Sequence, residues 1–219
     1  MPLLQVKERR LARLRGLYAI VDASAARPPL ELTAAFLRGG AAVVQLRLKE
    51  LGGRNLLAVA REAAAMCRQG GALLLLNDRP DVALAAGADG VHLGQEDLPV
   101  GAARAVVGED ALIGMSTHSD AEIDAALASG ADYLGFGPVF ETRSKPGAPL
   151  PHPHGLAGLG RAVRRAGSVP VVAIGGITAA TAGGVASAGA ACAAAIGELC
   201  RAPDPQAAAR AMAEGFARG

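Results

Sequence analysis

The sequence predicts a single-domain α/β protein of the (β/α)8, or TIM-barrel, class with a short N-terminal capping helix. The prediction rests on three observations. Eight short apolar runs alternate along the chain with eight helical segments. The apolar runs end in polar residues or glycines, as strands do at the ligand-binding rim of such a barrel. The length of 219 residues suits one compact domain of this kind.

The strands and helices follow from the apolar pattern taken in order. Uninterrupted runs are expected of strands buried on both faces, and they lie at 17–21, 42–46, 72–76, 90–93, 111–115, 133–136, 169–174 and 191–196. Helices are predicted at 30–37, 55–68, around 82–86, and at 100–107, 121–129, 156–165, 178–187 and 205–216. A doubly wound open sheet is the alternative, but it would need fewer strands. Residues 141–155 have no predicted element, and their prolines indicate a stiff lid or pocket wall.

Residues 1–15 are predicted to form an extension to a barrel domain of residues 16–219. We expect a short amphipathic helix here, with Leu4, Leu11 and Leu14 turned inward so that it caps the fold. No long apolar stretch follows its basic residues, which argues against a secretory signal and leaves an Arg-rich transit peptide as the alternative. No apolar run in the sequence reaches the length of a transmembrane helix.

Composition excludes several classes of function. A net charge of +2 and an aromatic content of 3% without Trp argue against nucleic-acid binding and against an anionic membrane surface. Cys67, Cys192 and Cys200 form no C-x-x-C pair, so we expect buried free thiols in a cytoplasmic, reducing compartment instead of disulfides or zinc. Small-molecule substrates are the expected partners, and a homo-oligomer is left open.

Two aspartates follow neighbouring predicted strands. Asp78 comes after the third strand and Asp97 after the fourth. A helical crossover makes these strands parallel, so both side chains should lie at the same ligand-binding rim. Two carboxylates there would repel each other without a cation, and oxygen ligands favour Mg²⁺ bound together with a substrate phosphate. The alternative is that both aspartates are turn formers or helix N-caps.

Basic residues and glycines at the same rim predict two anion sites. Arg47 and Lys49 follow the second strand and Lys145 follows the sixth, and several such cations suit a diphosphate. Glycine turns after strands seven and eight, at 175–176 and at Gly197, allow backbone N–H groups to approach a phosphate closely. The rim would therefore bind a metal-associated anion near strands two to six and a second anion at strands seven and eight.

Ser116 and the histidines admit structural roles as well as functional ones. Ser116 could cap the helix that follows it. His92 falls inside a strand and is expected in the barrel interior, whereas His118, near the rim, is a weaker candidate for acid–base catalysis. His152 and His154 have the spacing of metal ligands but lack a third ligand, so an exposed loop is expected there in place of a zinc site.

Several motifs resemble the thiamine-phosphate synthase family, in the right order from about residue 16 to residue 197. They are Gln45-Leu-Arg-Leu-Lys49, Asn77-Asp78, His92-Leu-Gly-Gln-Glu-Asp-Leu-Pro99, Ile113-Gly-Met-Ser-Thr-His-Ser119, Gly130-Ala-Asp-Tyr-Leu-Gly-Phe-Gly-Pro138, Thr142-Arg-Ser-Lys145 and Val172-Ala-Ile-Gly-Gly-Ile177. Asn-Asp followed by His-Leu-Gly-Gln-Glu-Asp is specific, whereas the glycine pair alone is weak. The resemblance implies a transferase that joins a hydroxymethylpyrimidine diphosphate to a thiazole phosphate, or to its carboxylated form, and releases thiamine phosphate and diphosphate.

The resemblance also assigns roles to individual residues. It implies that Asp78 and Asp97 hold Mg²⁺. The pyrimidine diphosphate would be bound by Gln45, Leu46, Arg47, Leu48, Lys49, Asn77, Ser116 and Lys145, with the catalytic role carried by Lys145, Arg47 and Ser116. The thiazole phosphate would be bound by Thr142, Arg143, Ser144, Gly176, Ile196 and Gly197. An aminopyrimidine can stabilise the cation left behind by diphosphate, so the expected path is dissociative and the enzyme mainly positions its two substrates.

Two departures from the family pattern concern the thiazole phosphate. Gly197 stands where the family usually has Ser, so Gly197→Ser is expected to restore a hydroxyl contact, unless a positive φ at Gly197 strains the turn. The loop at 146–154 is long and atypical. A thiazole tautomerase-like paralogue using His118 is one alternative, although that group resembles the synthase without the Asn-Asp and Gln-Glu-Asp motifs. A non-catalytic phosphate-binding barrel is the other, and loss of a metal-binding aspartate would favour it.

Overall fold

The closed barrel predicted from the sequence is confirmed. The computed structural model describes residues 5–23, 25–142 and 152–219. The strands are β1 (Gly16–Asp22), β2 (Val43–Arg47), β3 (Leu73–Asn77), β4 (Gly90–Leu93), β5 (Leu112–Thr117), β6 (Tyr133–Phe136), β7 (Val171–Ile174) and β8 (Cys192–Ala195). Each strand pairs in parallel with the next, and β8 pairs with β1, so all carboxyl ends lie at one rim, the carboxyl rim.

Helices connect successive strands around the outside of the barrel. They are α1 (Val6–Arg13), α2 (Pro29–Arg38), α3 (Gly53–Gln69), α4 (Pro80–Ala86), α5 (Val100–Val107), α6 (Asp120–Ala128), α7 (Gly155–Ala166), α8 (Ala182–Ser187), α9 (Gly197–Cys200) and α10 (Pro205–Ala217). The sequence predicts all of them except α9, a single turn too short to show an amphipathic period.

Several strands lie one residue further along the chain than the apolar pattern predicts. The alanine that begins an apolar run still belongs to the preceding turn, as where the N–H of Ala72 donates to the carbonyl of Cys67 at 2.9 Å. The strand then continues into the polar residue after the run, which places Arg47 and Asn77 inside β2 and β3. The predicted helix at 178–187 begins only at Ala182, because residues 178–181 form a turn closed by the N–H of Thr178 and the hydroxyl of Thr181.

The barrel interior combines large and very small residues. The leucines of β3 are at most 1% exposed, and the side chains of β8 are small and buried. The rings of Tyr18 and Tyr133 fill the interior, and Gly114 leaves the space that the Tyr133 ring occupies. This packing keeps the strands buried on both faces and gives the carboxyl rim a rigid base.

The first helix caps the opposite, amino-terminal rim, where the strands begin. Lys7 lies 3.1 Å from the carboxylate of Asp132, just before β6, and Arg10 lies 3.0 Å from Asp89, just before β4. Leu14 is buried directly after the helix and Leu11 is partly buried, whereas Leu4 lies outside the described residues. The predicted capping helix is therefore present, and its basic residues attach it together with its leucines.

The cysteines are free and buried, as predicted. Burial raises the pKa of the Cys67 thiol to about 12 and also raises the pKa values of Cys192 and Cys200, so all three thiols stay protonated at neutral pH. Within the described parts of the chain, none of the helices has the length and apolar character needed to cross a membrane.

Candidate active site

The carboxyl rim gathers the predicted site residues that the structure describes. Arg47 and Asn77 end β2 and β3, and Ser116 is the penultimate residue of β5. Gly176 follows β7, and Gly197 begins α9 after β8. Two halves can be distinguished by their chemistry: a charged half at β1–β5 and a glycine-lined cavity at β5–β8.

Asp78 and Asp97 meet in the charged half, as the sequence predicts. Burial, and then a hydrogen bond with the neighbouring Asp78 carboxyl, raise the pKa of Asp97, so the two side chains lie within hydrogen-bonding reach of each other. The N–H of Gly94 donates to Asp97 at 2.7 Å and holds its side chain in this position. Neither aspartate caps a helix: Asp78 precedes the N-cap Arg79 of α4, and Asp97 lies two residues before the N-cap Pro99 of α5.

Asp78 also has an unusual backbone conformation. Among the described residues, Asp78 is the one non-glycine residue with a positive φ, which is 62°. Its N–H donates to the carbonyl of His92 at 2.9 Å, which ties it to the end of β4. Such conformations cost on the order of 1 kcal/mol or more and tend to occur where a functional side chain must point in a fixed direction.

The basic side chains of this half are paired with carboxylates. Lys49 lies 2.7 Å from Asp78, and Arg47 donates to Asp22, which is only 5% exposed at the end of β1. Register explains the second pair, because Asp22 and Arg47 are direct partners across β1 and β2. Among these five side chains the three carboxylates outnumber the two basic groups by one, which favours a bound cation between Asp78 and Asp97.

The polar residues of β2 and β3 form a shared surface. The side-chain amide of Gln45 donates to Asn77 Oδ1 at 3.2 Å. Leu46 and Leu48, which the family motif includes, are 1% and 4% exposed and pack in the core. Only their backbone atoms are therefore placed to contact a ligand.

Ser116 is connected to a chain of buried polar groups. Its hydroxyl lies 2.9 Å from His92 Nε2, His92 Nδ1 lies 2.9 Å from the Tyr133 hydroxyl, and that hydroxyl lies 3.1 Å from the hydroxyl of Tyr18. The helix N-cap alternative for Ser116 is wrong, because Ser119 caps α6 by accepting from the N–H of Glu122. His92 lies in the barrel interior, as predicted, and reaches the predicted site through its contact with the Ser116 hydroxyl.

The second half of the rim is a cavity of about 280 Å³ lined by the loops after β5–β8. Gly175 and Gly176 form its floor with φ of 101° and 64°, and a Cβ on Gly176 would lie 2.8 Å from Cβ of Phe140. Both positions therefore require glycine for conformation and for space. Thr142, Ile196 and Gly197 also line the cavity, as the family motifs imply.

The histidines take different positions from one another. His118 lines the cavity, and its Nδ1 donates to the carbonyl of Gly137 at 2.6 Å, which leaves Nε2 as the ring atom able to act on a ligand. The expectation that His152 and His154 are both exposed is wrong for His154, whose ring packs against Phe136 at 4.7 Å. Among the described residues, no group of three or more His, Cys, Asp or Glu side chains could hold a metal ion.

Several functional candidates were missed from the sequence, and others lie outside the described residues. Asp22 and Arg201 were not predicted, although Asp22 ends the first apolar run and Arg201 follows Gly197 by one helical turn. The structure does not describe residues 143–151. These include Arg143, Ser144 and Lys145 and most of the atypical loop at 146–154. Their roles stay predictions.

Comparisons with known proteins identify the family of the chain. Residues 17–199 match a family model described as thiamine monophosphate synthase. A thiamine-phosphate synthase of Anaeromyxobacter dehalogenans is 48% identical over 210 residues, covering 96% of this chain and 91% of that protein. A thiamine-phosphate synthase of Chlorobium luteolum is 47% identical over 184 residues, covering 84% and 85% of the two chains.

A solved structure gives the same result at the level of the fold. Thiamine phosphate pyrophosphorylase from Pyrococcus furiosus superposes with a TM-score of 0.85 at 35% identity, covering 94% of this chain and 98% of that one. With the family model matched over most of the sequence, the chain belongs to the thiamine monophosphate synthase family.

Proposed function

We propose that this protein is a thiamine-phosphate synthase that joins a hydroxymethylpyrimidine diphosphate to a thiazole phosphate and releases thiamine phosphate and diphosphate. The observation that carries the proposal is the meeting of Asp78 and Asp97 beside Lys49 at one rim, next to a glycine-lined cavity. One half suits a metal-bound diphosphate and the other a phosphate ester. Family membership supports the same reaction.

Asp78 and Asp97 would hold Mg²⁺, and the donor set fits this ion. Both side chains are hard oxygen donors, and their mutual repulsion is relieved when a cation lies between them. Two protein carboxylates are enough for Mg²⁺, which usually completes its coordination with water and substrate phosphate oxygens. Bound there, the ion would neutralise charge that develops on the departing diphosphate.

The pyrimidine diphosphate would lie over β2–β5. Arg47 and Lys49 would contact phosphate oxygens, and Lys145 would add a third cation. Gln45, Asn77 and Ser116 offer neutral donors on the same surface. Leu46 and Leu48 would contribute backbone atoms only, since their side chains are buried. The Asp22 carboxylate fixes the Arg47 guanidinium from behind, so it needs little reorganisation when the substrate binds.

The thiazole phosphate would occupy the cavity at β7 and β8. Gly176, Ile196 and Gly197 would offer backbone N–H groups, and Thr142, Arg143 and Ser144 would add contacts from the loop after β6. This places the two anions on opposite sides of the rim. The thiazole ring nitrogen would then face the carbon from which diphosphate departs.

The chemistry requires little proton transfer. The bond from the pyrimidine methylene carbon to the diphosphate oxygen breaks with both electrons going to diphosphate, and the aminopyrimidine stabilises the resulting cation. Arg47, Lys49 and Lys145 would stabilise the leaving group, and the thiazole nitrogen lone pair then forms the new C–N bond. We place this reaction in the cytoplasm, where the three free thiols stay reduced.

The direct test is an assay of the full chain with both substrates and Mg²⁺. We expect thiamine phosphate and diphosphate to form in equal amounts, and we expect EDTA to stop the reaction until Mg²⁺ is returned. Thiazole isomerisation without condensation would instead indicate the tautomerase-like alternative, in which His118 Nε2 would act as the acid–base group. Absence of both activities would contradict the proposal.

Variants of the basic residues test the diphosphate half. Lys145→Ala and Arg47→Ala should weaken diphosphate binding and slow turnover, because each loses a charge-assisted contact. Since Arg47→Ala also removes a basic partner of the buried Asp22 carboxylate, Arg47→Lys is the matched control for folding. Unchanged binding of diphosphate in both alanine variants would contradict this assignment.

A further inference from the structure

Arg201 is a basic residue of the cavity that the family motifs quoted above do not include. The lining also contains two carboxylates, Glu141 and Glu198, and among the described lining residues His118 is the other basic side chain. A phosphate ester carries close to two negative charges at neutral pH, so a cavity with two carboxylates needs a cation to bind it. Arg201 is placed to supply that charge.

The guanidinium of Arg201 occupies the space over Gly197. A Cβ on Gly197 would lie 2.5 Å from Cζ and 2.7 Å from Nη1 of Arg201, closer than such atoms approach. Gly197 is not among the described glycines with positive φ, so its backbone does not demand glycine. The Arg201 guanidinium, one helical turn further along, fills the space that a side chain at this position would take, so a larger residue here must displace it.

Among the described residues, Arg201 also differs from most arginines near the rims in having no carboxylate partner. Arg47 and Arg104 lie 2.5 Å from Asp22 and Asp132, respectively. No carboxylate of the described residues forms such a pair with Arg201, whose side chain is exposed to the cavity. An unpaired guanidinium offers several N–H donors to the oxygens of a phosphate.

We infer that Arg201 binds the phosphate group of the thiazole substrate, and that Gly197 is the residue that makes room for it. The inference rests on the proposed function, because it names the residue that recognises one of the two substrates. Gly197→Ser should therefore displace the guanidinium and weaken binding, opposite to the sequence-based expectation.

Calorimetric binding of two thiazole probes tests this without relying on turnover. The probes are 4-methyl-5-(2-phosphoethyl)thiazole and the corresponding alcohol, each titrated into the full chain. Arg201→Ala should weaken binding of the phosphate form about 10- to 100-fold and leave binding of the alcohol unchanged. Arg201→Lys should recover part of the loss. Arg210→Ala, the same charge change on α10 outside the cavity, is the matched control.

A double mutant tests the link between Gly197 and Arg201. Gly197→Ser alone should weaken binding of the phosphate form several-fold, whereas the same change in the Arg201→Ala background should have no effect or strengthen binding. In steady-state assays, only KM for the thiazole phosphate should change in these variants, with KM for the pyrimidine diphosphate constant. Melting curves should be nearly unchanged, because the atoms that Ser would meet belong to a flexible side chain.

The outcomes separate this inference from the proposed function. Equal affinity of the native chain and Arg201→Ala for the phosphate form would overturn the role of Arg201, even if synthase activity is present. Additive effects of the two substitutions would overturn the link with Gly197. Selective binding of the phosphate form through Arg201 in a chain without synthase activity would uphold the phosphate site and contradict the proposed reaction.

Discussion

The two rims of the barrel use the same residue types with different results. At the amino-terminal rim, Asp89 and Asp132 each accept a backbone N–H from the preceding strand and each pair with a basic residue of α1. At the carboxyl rim, Asp78 and Asp97 face each other, and Lys49 is the one described cation paired with them.

The carboxylates of the two rims differ in where their partners come from. Carboxylates that find all their partners within the chain hold the barrel together. Under the proposed function, the facing carboxylates of Asp78 and Asp97 are completed by a ligand, and the positive φ of Asp78 fixes the direction of its side chain. Substitutions at the two rims should therefore have separable effects.

The largest effect is expected for the aspartates of the carboxyl rim. Asp78→Asn and Asp97→Asn should reduce kcat at least about 100-fold, because a bound metal stabilises transition-state charge by several kcal/mol. Asn tolerates the positive φ at position 78, and Asn at position 97 keeps an acceptor for the N–H of Gly94. The melting temperature of each variant should therefore stay close to that of the native chain. Kinetics over a range of Mg²⁺ concentrations with melting curves would check this. Full activity in either variant would remove that aspartate from the metal site.

The opposite pattern is expected for Asp132 at the amino-terminal rim. Asp132→Ala removes the carboxylate that pairs with Arg104 and accepts the Ile113 N–H. The Asp132 side chain is only 8% exposed, so water cannot readily replace these contacts. We expect the free energy of unfolding to fall by about 3 kcal/mol, which corresponds to a decrease of roughly 6–12 °C in the melting temperature. The kcat of the folded fraction at 25 °C should not change. A selective loss of kcat without a change in melting temperature would contradict the division between the rims.

An intermediate effect is expected for the glycine turn of the cavity. Gly176→Ala should raise KM for the thiazole phosphate about tenfold or more, since the new methyl group would meet Phe140 and the carbonyl of Glu141. Gly167→Ala is the matched control, because its φ of 63° is nearly the same and nothing lies within 4 Å of its Cβ. Gly167→Ala should lose about 1 kcal/mol of stability from backbone strain, and Gly176→Ala should lose more, because its methyl group also overlaps the backbone of Glu141. A similar KM increase in both variants would show that the turn acts only through stability.

The smallest effect is expected for Lys7 on α1. Its ammonium group pairs with Asp132 at 3.1 Å, but its side chain is 28% exposed and Asp132 retains Arg104. Lys7→Ala should therefore lower the free energy of unfolding by less than about 1 kcal/mol, a difference that chemical denaturation can measure. A loss as large as that of Asp132→Ala would mean that the helix, more than the Arg104 pair, stabilises this rim.

The sequence predicts the barrel well because its strands are buried on both faces. Runs such as Leu73–Asn77 are apolar over nearly their whole length, and the polar residues or glycines at the ends of the runs mark the carboxyl rim. The convergence of Asp78 and Asp97 follows from the same rule. These features depend on local pattern and on the crossover rule, which a single sequence contains.

The pairs formed at the rim could not be predicted in the same way. Arg47 finds Asp22 through the register of β1 and β2, which residue order does not specify. Arg201 was missed because α9 is one turn long and has no apolar period, although the four-residue spacing from Gly197 is a signal in retrospect. The positive φ of Asp78 accompanies the hydrogen bond from its N–H to the carbonyl of His92 in β4, a contact between distant parts of the sequence.

The buried chain of Tyr18, Tyr133, His92 and Ser116 links the barrel interior to the carboxyl rim. Burial raises the pKa values of both tyrosines, so both hydroxyls keep their protons at neutral pH, and either of them can be the donor between the two. A neutral His92 ring carries one N–H, so a Tyr133 hydroxyl that donates to Nδ1 leaves Nε2–H to donate to the Ser116 oxygen. In that tautomer the Ser116 hydroxyl keeps its own proton, and the interior thus prepares the serine to donate a hydrogen bond to an anion on the rim.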